Sequence, residues 1–412
     1  MINTGDTAWV LVSTALVLLM TAPGLMLFYG GLVRRKNVLS IMMQSLFLLC
    51  LISLQWILFG YSLSFGPDVG HFIGNLHWAM LRNVTGAPNP DYAPTIPHTL
   101  FMLFQMMFAV ITPALITGAF AERMKFSGFA LFSLLWAILV YDPICHWVWG
   151  AGGWIRNLGA LDFAGGTVVH ISSGIAALAC ALVLGKRKTY HNGATPPHNL
   201  VFTVIGAGLL WFGWFGFNAG SALAANELAV NALLVTNTAA AAAALTWMAI
   251  EWRINGKPTI LGAASGVVAG LVAITPASGF VSAGSAILIG ITVGIACYFA
   301  VAVVKTKFGY DDSLDAFGVH GVGGTTGALL TGLFAQKIIN AGGNNGLLFG
   351  NPSLLKIQFI AVAVTMAYSF TVTFILLKIV DAVVGGLRVE ENDEIIGLDI
   401  TQHEENAYTL ID

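Results

Sequence analysis

Charge is what this chain has least of. Lys, Arg, Asp and Glu make up 9% of its 412 residues, while 57% are hydrophobic. So apolar a composition excludes an ordinary soluble domain and a disordered chain, and points to lipid as the solvent. The few charges nearly cancel, at −2 overall, and the basic residues are too dispersed for a nucleic-acid patch. Cysteine is scarce too. Cys50, Cys145, Cys180 and Cys297 all fall inside apolar runs without metal-type spacing, and read as small core residues. Soluble-enzyme signatures are missing: there is no GxSxG elbow and no phosphate-binding loop, and "GVGGTTG" misses the dinucleotide fingerprint. The expectation is a protein that is not an enzyme and carries no cofactor or metal. Asn83-Val84-Thr85 is a formal glycosylation acceptor.

What the chain has in abundance is long uncharged runs. A helix needs about 20 apolar residues to cross a bilayer. Runs of that kind predict spans near 7–33, 38–65, 98–120, 126–148, 163–185, 200–221, 228–250, 259–275, 284–304, 316–336 and 356–384. The eighth and ninth share one uncharged stretch and are divided at "TPASG", where Pro and Gly mark a turn. Thr7–Val33 is too long for a signal-peptide core and no Lys or Arg precedes it, so it reads as a retained first span.

Eleven alternating spans separate the basic residues sharply. One side takes Arg34, Arg35, Lys36, Arg123, Lys125, Lys186, Arg187, Lys188, Arg253, Lys257, Lys305, Lys307, Lys378 and Arg388. The other takes only Arg82, Arg156, Lys337 and Lys356. The richer side is expected to be cytoplasmic, with the N-terminus outside and the C-terminus inside.

The fifth and tenth predicted spans resemble each other. "DFAGGTVVHISSG" and "DAFGVHGVGGTTG" each start with an aspartate and hold one histidine among glycines. Five spans apart, they predict two inverted five-helix repeats (about 7–185 and 200–336), then a final helix (about 356–384). Such repeats are a transporter architecture, with the substrate path near the midplane. The whole reads as an all-α integral membrane protein, a transmembrane domain 1–386 followed by a tail 387–412.

Gly166 and Gly174 flank His170 on its helical face, and Gly324 and Gly327 share a face with His320. Small residues there let a neighbouring helix approach closely. Either histidine alone could be interhelical glue, and a metal site would need ligands the sequence does not supply. Two at equivalent inverted positions read as lining a path. Phe104 and Phe108 share one helical face; Trp214, Phe217 and Ser221 share another. With Trp149, rings and a hydroxyl could meet near the external mouth as a cage for a small cation. An interfacial aromatic belt is the alternative for these rings. Asp162 and Asp315 start their spans and could cap them. Asp162 could also attract a cation from outside, whereas Asp315 lies on the opposite side beside Asp311 and Asp312 and reads as structural.

"DFAGGTVVHISSGIAALACALVLGKR", "FYGGLVRRKNVLS", "GAFAERMKFS", "WFGFNAGSA" and "FGVHGVGG" resemble the signatures of the ammonium transporter family, the Amt/Mep proteins. The tail "GLDITQHEENAY" is of the same type. The likeness covers the whole chain and is nearer the bacterial and archaeal members than the Rhesus branch. It implies that Phe108, Trp149 and Ser221 form an outer ammonium recruitment site supported by Asp162. It implies that Phe108 and Phe217 gate the pore below, which His170, His320, Trp214 and Phe104 line. It also implies a homotrimer in the cell membrane with one pore per subunit, and in many members a PII signalling protein that plugs the pore exit.

The physics suggests why histidine serves here. A cation at the bilayer centre costs at least a few kcal/mol, and neutral ammonia avoids this. Recruitment at the mouth and loss of a proton before the apolar pore would reject potassium, which has no proton to lose. A bonded pair of neutral imidazoles could hold ammonia and could relay the proton separately. Electrogenic uptake is the expectation; an electroneutral ammonia channel or an ammonium sensor of the same fold are the alternatives.

Overall fold

The computed structural model describes residues 1–190 and 196–408, so the last four residues of the tail lie outside it. The long helices among the described residues are, in chain order, α1 (Thr4–Leu32), α2 (Arg35–Phe65), α3 (His98–Phe120), α4 (Phe126–Leu158), α5 (Gly166–Leu184), α6 (Leu200–Gly220), α7 (Glu227–Asn255), α8 (Ile260–Ile274), α9 (Ala283–Phe308), α10 (317–334) and α11 (Pro352–Val383). All but α8 and α10 are long and apolar enough to cross a membrane. In lipid only a helix satisfies its own backbone polar groups, which is why such runs fold this way. α8 spans only about 22 Å, ending where Pro276 follows in the "TPASG" turn expected to part it from α9. α10 is rich in Gly and Thr, and its glycine positions are buried against other helices.

Those glycines decide the packing at the centre. A Cβ on Gly174 of α5 would lie 2.1 Å from the Gly321 nitrogen of α10, so the two backbones touch. On Gly324 it would lie 2.9 Å from the His170 Cβ, and on Gly327 2.1 Å from the Ala273 carbonyl of α8. The close approach inferred from the sequence is therefore present, and it brings the two histidine-bearing segments face to face. α11 is stapled along the same pair. Gln358 donates to the carbonyls of Leu161 (2.8 Å) and Ala328 (3.0 Å), and the Ser369 hydroxyl to that of Ser172 (2.7 Å).

One end of the bundle is strongly charged. Glu122 is fully buried and accepts from Arg34 (2.8 Å) and Arg187 (3.1 Å). Arg187 also forks onto both carboxylate oxygens of Asp311, at 2.8 and 2.9 Å. Burial raises the Asp311 pKa, but Arg187 outweighs it and holds the carboxyl below its usual value. The segment after α11 docks on this end: Glu394 accepts from Arg388 at 2.7 Å and from the Lys188 backbone, Lys36 donates to the Ile395 carbonyl, and Asp399 accepts the Ser40 N–H at 2.8 Å. Arg123 donates to the Asp311 carbonyl at 2.7 Å, so Arg34, Arg123, Arg187, Lys188 and Arg388, one class in the alternation of loops, share one face.

Candidate functional site

Two vestibules approach the centre from opposite ends. The one away from the charged end, called outer for reference, is about 230 Å³ and is bordered by Trp149, Asp162, Ser221 and Gln105; the other, called inner, is about 450 Å³ and reaches His320 from the charged end. Between them lies a closed chamber of about 10 Å³ bordered by His170, His320, Trp214 and Phe217. That is room for roughly one water-sized molecule.

The rings form a continuous column. Trp149 meets Phe108 edge-on with centroids 5.9 Å apart, and Phe108 lies over Phe217 at 4.3 Å. Phe217 is 6.1 Å from His170, and His170 is 5.3 Å from His320. Phe108 and Phe217 are 0% exposed, so the passage is shut between the outer vestibule and the chamber. Trp214 stacks on His170 at 5.4 Å, fixed by its own N–H bond to the Thr275 hydroxyl (2.9 Å). Phe104, like Phe108, borders none of the three spaces; it packs edge-on against Phe108 at 5.0 Å and over Gly220 of α6.

Each histidine sits in a π-helical turn, Gly166–Ile171 in α5 and Phe317–Gly321 in α10. Such single turns are frequent at functional sites. The two Nδ1 atoms are 3.2 Å apart. In a neutral pair one Nδ1 donates and the other accepts, so the donor ring has a bare Nε2 and its partner an Nε2–H. The pair therefore carries one further acceptor and one further donor. The His170 Nε2 is buried without a partner among the described residues.

Asp162 is a cap first. Its carboxylate accepts the N–H groups of Gly165, Gly166, Thr167 and Val168 at 2.7–3.2 Å, and its carbonyl accepts the Trp149 indole N–H at 2.9 Å. The matching residue in α10 is Asp312, not Asp315: Asp312 accepts from Ala316 and Phe317 at 3.1 and 2.8 Å. Asp315 adopts a left-handed backbone (φ 60°) and pairs with Lys305. Both caps now precede their histidine by eight residues.

The Ser221 hydroxyl donates to the Phe217 carbonyl at 2.8 Å, which leaves its lone pairs free for a donor in the outer vestibule. Gln105, which the sequence reading passed over, borders the same space, and its Oε1 lacks a partner among the described residues. The chamber walls also include Met20 and Leu25 of α1 and Ile111 and Leu115 of α3. Nothing in the sequence distinguishes these from other apolar residues. Among the described residues no group of three or more His, Cys, Asp or Glu could hold a metal.

Because Gly174 and Gly321 meet backbone to backbone, Gly174→Ala is expected to force α5 and α10 apart. Overpacking of this kind costs about 1–3 kcal/mol. The check is thermal unfolding in detergent, where the variant should melt below the parent, alongside a loss of solute flux as the imidazoles separate.

A multi-pass helical bundle with a single-file polar pair between two vestibules defines a membrane conduit for a small solute. The family model described as the Ammonium Transporter Family matches residues 8–408, and the chain belongs to that family. It is 56% identical over 404 residues to the ammonium transporter of Bacillus subtilis (strain 168), covering 98% of both chains. Its structure is similar to that of Candida albicans Mep2, with a TM-score of 0.91 at 38% identity, over 99% of this chain and 94% of that one. It also resembles a solved structure described as a sensor Amt protein, with a TM-score of 0.87 at 30% identity, over 97% and 98%.

Proposed function

We propose that this protein is an ammonium transporter that recruits the cation in the outer vestibule, removes a proton there, and passes ammonia through the histidine chamber. The observation that carries this reading is the column from Trp149 through Phe108 and Phe217 to the bonded His170–His320 pair. The recruitment cage is Trp149, Phe108 and the free lone pairs of Ser221, where each ring face contributes about 0.5–2 kcal/mol to a cation. Phe108 and Phe217 must swing aside for passage. Beyond them the chamber is apolar apart from the imidazoles, so a neutral molecule with both donor and acceptor capacity is favoured over a desolvated ion.

The same reading takes all the long helices as eleven spans in two inverted repeats plus α11, with the charged face cytoplasmic. The repeat is supported by two capping aspartates placed eight residues before histidines on π turns, five helices apart. A homotrimer in the cell membrane, with the inner mouth open to a PII-type signalling protein, follows from the family pattern. Flux is taken as electrogenic, the proton crossing apart from ammonia. Reconstituted protein on a solid-supported membrane should give an ammonium-evoked transient current that decays faster at higher protein density. A decay independent of density would mean binding without charge transfer and would overturn the electrogenic reading.

The likeness to a sensor Amt protein supports a second reading, in which the same site senses ammonium. Growth of a transporter-deficient host on limiting ammonium separates the two, since a pure sensor would not restore it.

A further inference from the structure

Among the described residues, the wall of the inner vestibule includes the charged side chains of Arg187, Glu251, Lys305 and Asp315. Two of these are engaged with fixed partners. Arg187 forks onto Asp311 and also meets Glu122. Glu251 accepts the Thr259 N–H (2.8 Å) and hydroxyl (3.0 Å) and the Trp247 indole N–H (3.3 Å), which ties the end of α7 to the start of α8. The charges left facing the space are those of Lys305 and Asp315, which pair with each other.

Lys305 lies in the last turn of α9. Its ε-ammonium group donates to the Asp315 carboxylate and to the Asp312 carbonyl (3.3 Å). The Lys305 side chain is 12% exposed and that of Asp315 31%, so the pair sits at the vestibule wall. Asp315 precedes His320 by five residues, at the entrance to α10. Its left-handed backbone (φ 60°) is costly for a residue other than glycine, and such residues cluster where a side chain has to be aimed. Here the side chain is aimed at an amine. A lysine head group is an ammonium ion with one hydrogen replaced by carbon, and a carboxylate and a carbonyl are the acceptors either would take. The inner mouth therefore holds a pair of oxygens suited to ammonium, filled by the chain's own amine.

We propose that Lys305 is a tethered occupant of a cation site at the inner mouth, a specificity residue that keeps dissolved ammonium and potassium off Asp315. The proposal rests on the transport reading above. The tether makes occupancy intramolecular, with an effective concentration that a dissolved cation has to exceed. Ammonia that passes His320 then enters a space whose carboxylate is already neutralised. Without the amine, Asp315 and the Asp312 carbonyl hold a dissolved cation in the exit path, and release of ammonia slows.

The test compares the parent with Lys305→Met, which keeps the apolar stem and removes the amine, in liposomes with equal potassium on both sides. Ammonium-evoked current is read against ammonium concentration, with choline in place of potassium as the control. In the parent, potassium competes only at the outer cage, so it raises the half-saturating ammonium concentration and leaves the maximal current unchanged. In Lys305→Met it also occupies the exit, and the maximal current falls several-fold. Lys305→Arg keeps a cation on Asp315 and should follow the parent. Adding Asp315→Asn to Lys305→Met removes the carboxylate and should restore the maximal current. A loss of packing alone would lower the current in choline as well, and Asp315→Asn would not repair it. Thermal unfolding in detergent gives a reading without transport, because a ligand of the folded state raises the melting temperature. Potassium should raise that of Lys305→Met beyond its effect on the parent, and the double variant should lose the excess. Lys305→Leu gives the same comparison should the methionine variant not fold. A maximal current that ignores potassium in Lys305→Met, or equal potassium shifts in melting, would overturn the proposal. If none of these proteins moves ammonium, the transport reading fails, and the melting shifts still decide the site.

Discussion

Replacing His170 with alanine is expected to reduce ammonium-evoked current by about 10-fold to about 100-fold and to weaken discrimination against potassium. The chamber offers a guest one acceptor and one donor, both supplied by the imidazole pair, whose Nδ1 atoms are 3.2 Å apart. Truncating one ring removes one of these and strips the other of the partner that fixes its tautomer. A buried polar group left without its hydrogen bond costs about 1–3 kcal/mol, and each 1.4 kcal/mol is a factor of about ten in occupancy. The same substitution enlarges a space of about 10 Å³ that has room for one water-sized guest. Room for further water lowers the penalty for an ion, so potassium current should rise as ammonium current falls. His320→Ala should behave alike, with a larger potassium leak because His320 also borders the inner vestibule. Ion-replacement currents in reconstituted membranes measure both effects. Full selective ammonium current in both variants would remove the role given to the pair.

The histidines were legible because each is a polar residue in an apolar run, marked by glycines at helical spacing. The same logic found the α8–α9 break, since Pro276 and Gly279 stand out in an uncharged stretch. Where the signal was one residue type among many alike, it failed. "DDSLDAF" offers three aspartates, and the nearest to the helix looked like the cap. Asp315 takes a left-handed backbone and leaves the cap to Asp312, a choice made by local geometry that spacing does not encode. Phe104 and Phe108 share a helical face, and their different contacts, Gly220 of α6 for one ring and Phe217 for the other, are visible only in three dimensions. Met20 and Leu25 reach the chamber because α1 is broken at Ala22, next to Pro23. No periodicity argument could aim those two side chains.

Asp162→Ala is expected to abolish transport and to destabilise the folded protein by several kcal/mol. Among the described residues, its carboxylate is the only side-chain acceptor for the N–H groups of Gly165, Gly166, Thr167 and Val168. A helix start with no carboxylate leaves these donors unsatisfied beside an apolar interior, where each unmade bond costs about 1–3 kcal/mol. The damage is not confined to the helix end. The four N–H groups lead directly into the π turn that carries His170, and the Asp162 carbonyl holds the Trp149 indole at 2.9 Å. Loosening this one residue therefore disturbs the outer cage and the histidine pair together. Asp162→Asn separates structure from charge. Its amide retains one acceptor oxygen for Gly165 and Gly166, or for Thr167 and Val168, and turns an NH₂ against the other two donors. Charge-assisted hydrogen bonds are roughly twice as strong as neutral ones, so Asn should keep part of the cap. It should unfold between the alanine variant and the parent, and bind ammonium about tenfold more weakly because no negative charge remains beneath the cage. Thermal unfolding and half-saturating ammonium concentration, measured on the same preparations, read the two effects independently. An asparagine variant with parental affinity would reduce Asp162 to a cap alone, and an alanine variant with parental stability would remove even that.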